Sequence, residues 1–182
     1  MIEKPVFPDL NHFYIPIVSN AIEKDLIQSL ELSCRNTELL IDSIPSTLGN
    51  YKYEKGKWTV KQVLKHISDS ERVHSYRALT IARRDKTKLP SFDEDLFAIS
   101  DNSENLSLQM IKEEFLSVRK STIELFKTLS PESLDFEGFG NNMIFTPRII
   151  GWLISGHNSH HCSVLESKYL KSEKENILQQ NV

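Results

Sequence analysis

Apolar residues recur at helical spacing in four separate stretches of this chain, and no other part of it holds a sustained period. Ile22, Leu26, Leu30 and Cys34 step by four, with Ile27, Leu40, Ile41 and Ile44 extending the stripe, so a first helix is expected over about residues 20–44, ended by Pro45. Val60, Val63, Leu64, Ile67, Ala78, Ile81 and Ala82 mark a second over about 59–83, where Thr59 and Gln62 form a capping box. Leu108, Ile111, Phe115, Val118, Leu125 and Leu129 mark a third over about 107–129, closed by Ser130 and Pro131. A fourth is expected over about 147–170, with Thr146 as N-cap and Pro147 at the first helical position, where its missing N–H is no loss. Four amphipathic segments with no internal repeat and almost no strand signal lead to an all-α four-helix bundle, read as a single domain over residues 1–182.

The connections refine this outline. Residues 1–18 carry Pro5, Pro8 and Pro16 among aromatic residues and read as an irregular arm laid over apolar surface. Residues 84–106 include Pro90 and several acids without a period, yet Leu89, Phe92, Leu96 and Phe97 argue that the segment packs. A connection of 23 residues needs a reason in a compact domain, and a crossover supplies one: it can return along a whole helix, so that helices two and three run parallel. Residues 130–145, with Gly138, Gly140, Asn141 and Asn142, read as a loop, and the polar tail after Leu170 is expected to fray.

Charge and cysteine usage exclude several classes. The net charge is −3, and the densest basic cluster, Arg83, Arg84, Lys86 and Lys88, is interrupted by Asp85, so no nucleic-acid footprint is expected. No apolar run reaches the roughly 20 residues that span a bilayer and MIEKPVFPDL is no signal peptide, so no membrane partner and a cytoplasmic location are expected. Cys34 and Cys162 form no C-x-x-C pair, and Cys162 reads as a small packing residue. Apolar ridges on long helices leave a homodimer open.

Three of the six histidines fall within five residues of the fourth helix. At about 100° per residue, His157 and His161 lie inside the apolar stripe of Ile150, Leu153, Ile154, Val164 and Leu165, one turn apart, while His160 lies at its edge. Residues four apart on a helix are neighbours, close enough for two ring nitrogens to reach one ion. An open catalytic metal site typically has three protein ligands, so a third must come from elsewhere. The segment lacks the Glu of H-E-x-x-H and is no zincin helix. Buried, hydrogen-bonded histidines are the competing reading. In the second helix the same wheel places His74 and Glu71 inside the stripe and His66 on its flank, so periodicity nominates His74 as the buried ring.

W-T-V-K-Q-V-L-K-H from Trp58 to His66, S-D-S-E-R-V-H-S-Y-R after it, L-P-S-F-D-E-D-L-F from Leu89 and G-H-N-S-H-H from Gly156 together resemble the DinB-like superfamily of four-helix metalloproteins. The similarity runs from about residue 20 to 170. It implies an up-down-down-up bundle and a metal triad of His66, His157 and His161, which sets the family pattern against the wheel's preference for His74. The implied cofactor is a divalent transition metal, Zn or Ni first and Mn or Fe after them. Since the superfamily includes thiol-dependent transferases, the implied partners are a low-molecular-weight thiol, such as bacillithiol or mycothiol, and an electrophile. A metal-dependent hydrolase is one alternative, and a non-catalytic, stress-associated or partner-binding bundle is another. Around the triad, Glu71 could accept an imidazole N–H or pair with Arg72, Arg77 or Arg148. His74 reads as a core ring or one standing behind the ligands, Asn158 as a pocket donor or a packing residue, Trp58 as a core anchor, and His160 and His12 as surface or packing residues.

Overall fold

Four long helices, α2 (Leu26–Ser43), α3 (Val60–Ala82), α5 (Leu108–Thr128) and α6 (Pro147–Val164), build the body of the molecule, with two short ones, α1 (Tyr14–Ser19) and α4 (Glu94–Ser100), laid against it. The computed structural model describes residues 1–5, 14–21 and 23–171. Pro8, His12, Ile22 and the polar tail beyond Lys171, all weighed above, lie outside the described residues.

Side-chain pairings give the direction of each helix. Lys65 bonds Glu114, Glu71 bonds Arg119 and Ser75 bonds Thr122, so α3 and α5 run parallel. Ser29 meets Ser155 and Thr37 meets Asn158, so α2 and α6 also run parallel. Lys112 pairs with Asp42 and Arg119 reaches the Leu30 carbonyl, which sets α5 antiparallel to α2. His66 faces His157 while Trp58 receives Tyr169, which sets α6 antiparallel to α3. The order is up-down-down-up. Helix α3 packs on α5 and α6, and α2 packs on the same two, which leaves α2 and α3 on one diagonal of the bundle.

The crossover makes the parallel pair possible. From Arg83 the chain returns along α3, where Gln62 donates to the Ala98 carbonyl at 2.6 Å and Lys61 to the Glu104 carbonyl at 3.0 Å. Midway it forms α4, capped by Asp93, whose carboxylate accepts from the Leu96 N–H.

Three local features depart from the sequence reading. The first long helix begins at Leu26 rather than near residue 20, because Asp25 stops it: one carboxylate oxygen caps the Ile27 and Gln28 N–H groups and the other binds the Ile2 N–H. The arm is not wholly irregular, since Tyr14–Ser19 is helical, with Pro16 in the first turn where no N–H is needed. Residues 138–145 are a β-hairpin, β1 (Gly138–Gly140) paired antiparallel with β2 (Met143–Phe145). Asn141 and Asn142 both have positive φ, 51° and 58°, as a two-residue type I′ turn demands. Leu89 of the crossover adds a bridge to Gly140.

The α1 helix lies so close to α6 that a Cβ at Gly156 would run into the Ile17 carbonyl. The interior has three storeys. Leu26, Leu30, Ile81, Phe126 and Ile150 belong to one apolar cluster, and Ile41, Val63, Ile67, Phe115 and Leu165 to another. Between them, in sequence along every helix, come Ser33 and Thr37, Glu71, Arg119 and Asn158, all buried. No helix among the described residues is long and apolar enough to cross a membrane.

Candidate metal centre

Helical spacing brings the site together. His157 and His161 are one turn apart on α6, and His66, Ser70, His74 and Arg77 follow one another at steps of four, four and three along α3. The antiparallel packing of α3 on α6 places these rows opposite each other. His66 Nε2 lies 3.1 Å from His157 Nε2, and His161 Nε2 lies 3.0 Å from the same atom. One ligand nitrogen from each of the three rings lies within 4.8 Å of the others. The family triad, rather than His74, is the convergent set.

Each neutral imidazole has one N–H and one lone pair, so a single nitrogen of His157 cannot make two full hydrogen bonds at once. Three convergent ring nitrogens fit one transition ion, and all-imidazole ligation suits that class. The electrostatics agree. Burial lowers His66 to about 4 against a small opposing effect of Asp95, and lowers His161 to about 3, helped by His66 and His160. His157 is pushed well below its ordinary value by burial and by the other imidazoles. At neutral pH the rings are free bases, the form that ligates.

The surroundings hold these rings in place. Trp58 is not simply a core anchor: its ring packs on His66 at 4.8 Å between centroids and its Nε1–H donates to Asp95 at the start of α4. His74 stands outside the cluster, 6.4 Å from His157 between ring centroids. Its Nδ1–H donates to the Ser70 carbonyl at 2.7 Å, which leaves Nε2 as the lone-pair nitrogen. Burial lowers it to about 4, with Arg77 adding to the shift.

Glu71 and Asn158 are engaged elsewhere. The Glu71 carboxylate accepts both Nε and Nη2 of Arg119, an arginine not weighed as its partner from the sequence, and makes no bond to an imidazole among the described residues. Arg119 Nη1 continues to the Leu30 carbonyl and Ser33, and Nη2 to Asn158 Oδ1. Asn158 Nδ2 donates to Thr37, so its amide is spent inside the polar storey rather than offered to a pocket. Cys162 closes this network against Thr37 at 3.2 Å, consistent with a packing role.

Beside the triad opens a cavity of about 250 Å³, lined by His157, His161, His74 and His160 and walled by Leu153 and Phe92. Tyr14, Arg77, Glu94 and Asn141 also reach it. Periodicity did not single out Tyr14, Glu94 and Asn141, since they come from the arm, the crossover and the hairpin, whereas the 66-70-74-77 row on α3 would have pointed to Arg77. A larger hollow of about 500 Å³ lies between α2 and α6 and contains none of the histidines.

Across residues 29–165 the chain matches the family model described as the DinB superfamily. The chain belongs to the DinB superfamily. This DinB-superfamily chain is 29% identical over 84 residues to a protein of Oceanobacillus iheyensis whose name assigns it, provisionally, as a metal-dependent hydrolase. That alignment covers 46% of this chain and 47% of the relative, so the match spans about half the length of the curated relative. Among solved structures, YfiT from Bacillus subtilis, described as a probable metal-dependent hydrolase with an unusual four-helix bundle topology, superposes with a TM-score of 0.72 at 16% identity over 94% of each chain. The likeness establishes the shared bundle fold.

Proposed function

We propose that this DinB-superfamily protein is a metal-dependent enzyme in which His66, His157 and His161 hold a divalent transition metal beside a small substrate cavity. The observation that carries the reading is the convergence of three imidazole nitrogens, His66 buried and His157 and His161 half-buried, with the latter two rings also lining that cavity. A divalent ion held by three neutral imidazoles keeps its full charge and an open position, which lowers the pKa of water there to about 7 or holds a thiol as thiolate. The first assignment is transfer of a low-molecular-weight thiol to an electrophile, with Zn or Ni as the metal. Hydrolysis is the second, favoured by the names of the Oceanobacillus and Bacillus relatives.

The chain's own groups have definite tasks in either reaction. Trp58 and the α3–α6 contact fix the His66 ring so that its Nε2 stays turned to His157. Phe92, Leu153 and Ile17 give the cavity an apolar side, along which a charge is screened less than in water. His74, tied through Nδ1 to the Ser70 carbonyl, offers Nε2 to accept the proton that a thiol or water gives up.

The test is turnover by metal-loaded protein of an alkylating electrophile with a panel of small thiols, beside hydrolysis of an activated ester without thiol. A thiol adduct formed at a rate that depends on metal and is abolished by His161→Ala supports transfer. Ester cleavage with the same dependence and no thiol requirement moves the assignment to hydrolysis. Rates equal in wild type and His161→Ala in both assays refute catalysis at this site and leave a non-catalytic bundle.

A further inference from the structure

Two arginines are buried in this bundle, and they are treated differently. Arg119, fully buried, is bidentate to Glu71 and gives its remaining donors to the Leu30 carbonyl, Ser33 and Asn158. Arg77 is only 3% exposed, yet no carboxylate pairs with it among the described residues. Its one hydrogen bond there runs from Nη2 to the Pro90 carbonyl at 2.7 Å, and Nε is buried with no partner. A buried guanidinium without a counter-charge is costly, because desolvation is not offset by pairing.

The fold nonetheless holds this group firmly. Its guanidinium carbon lies 5.9 Å from the centre of the Phe92 ring, a cation–π contact. Its side chain is closed in by the hairpin, where a Cβ on Gly140 would sit 3.3 Å from Arg77 Cδ and 3.5 Å from Nε. Arg77 lines the same cavity as His74, His157 and His161. The charge is therefore pre-positioned at the wall of a pocket that two rings of the triad, His157 and His161, also line.

We propose that Arg77 seats the carboxylate of a small substrate, with the rest of the molecule extending through the cavity toward the three histidines. The assignment deepens the functional reading above, on which the cavity's role as substrate site rests. A planar carboxylate matches the guanidinium donors, and a charge-assisted bond in such a site is roughly twice as strong as a neutral one. A cavity of about 250 Å³ lies below the roughly 300–1,000 Å³ of pockets for drug-sized ligands, so the substrate is small. Glu94 also lines the cavity and disfavours a higher anionic charge, which selects a monoanion such as a carboxylate over phosphate.

The experiment is an NMR titration of the full-length protein with benzoate, benzamide and inorganic phosphate, following the Hε–Nε resonance of Arg77, alongside calorimetric binding to wild type, Arg77→Gln, Arg77→Lys and His161→Ala. Benzoate is expected to move the Arg77 resonance saturably and to bind about tenfold or more tighter than benzamide, a preference lost in Arg77→Gln, partly kept in Arg77→Lys and kept in His161→Ala. An unmoved Arg77 resonance overturns the proposal whether or not Arg77→Gln folds, since it is read on the wild type. A preference that survives Arg77→Gln but vanishes in His161→Ala also overturns it, placing the carboxylate on the metal. Phosphate binding as tightly as benzoate refutes the carboxylate class. A responding Arg77 in protein that takes up no metal keeps the anion seat and removes the enzyme reading, so the two fail separately.

Discussion

Replacing Arg119 by Met tests whether the buried polar storey holds the four helices in register. The guanidinium is fully buried and reaches three other helices: Glu71 on α3 at 2.8–3.2 Å, Leu30 and Ser33 on α2 at 2.9 and 2.6 Å, and Asn158 on α6 at 3.1 Å. Methionine fills much of the volume but supplies no donor, which strands the Glu71 carboxylate, itself 2% exposed, away from water. Breaking a buried pair by removing one partner costs about 3–5 kcal/mol. For a chain of this size each kcal/mol lowers Tm by roughly 2–4 °C, so a fall on the order of 10 °C is expected. Glu71→Met in the same background removes the stranded charge, and the double variant should recover about half of the loss or more, because apolar replacement of a whole buried pair is often neutral or better. The assay is a double-mutant cycle by urea unfolding with circular dichroism. A single-variant cost below about 1 kcal/mol, or a cycle that is additive within about 0.5 kcal/mol, would refute the reasoning.

Elemental analysis of untagged protein should find about one equivalent of transition metal, lost in His66→Ala and His161→Ala but kept in His74→Ala, whose ring lies outside the cluster. For chelator-treated protein, His66, His74 and His161 are all held below their ordinary value by burial, so the unfolded chain binds more protons between about pH 4 and 6.5. Stability is therefore complete above pH 6.5 and lost as pH falls toward 4, and urea unfolding at pH 7.5, 6 and 5 should give successively lower midpoints, with no change between pH 7 and 8 from these groups. Gly156→Ala should cost about 1–3 kcal/mol by forcing α1 off α6, read as a lowered Tm and faster proteolysis near Tyr14, whereas an unchanged melt would show that the contact yields easily.

The cores of the four long helices were legible in the sequence, because their apolar residues recur with the helical period and their ends carry strong signals at Thr59 with Gln62, Ser107 and Thr146 with Pro147. The long crossover between helices two and three implied their parallel packing. The hairpin was not legible, since three residues on each side of Asn141 and Asn142 are too short for an alternating pattern. The start of α2 was misplaced because apolar residues continued past Asp25 toward the N-terminus, and a period does not register where a carboxylate caps.

At the candidate metal centre the sequence alone determined that His157 and His161 share one face, for a four-residue step on a helix leaves no other arrangement. Periodicity nominated His74 and only the family resemblance pointed to His66, because a wheel measures direction around one helix and not height against another. Only the antiparallel docking of α3 on α6 set that height, bringing His66 to 3.1 Å from His157 and leaving His74 at the cavity. The same holds for charge. Glu71 and Arg119 lie 48 residues apart, and Arg77 differs from Arg119 only in what the neighbouring helices bring to it. Periodicity is a property of one segment, whereas pairing a buried charge takes two, and their meeting is decided by tertiary packing.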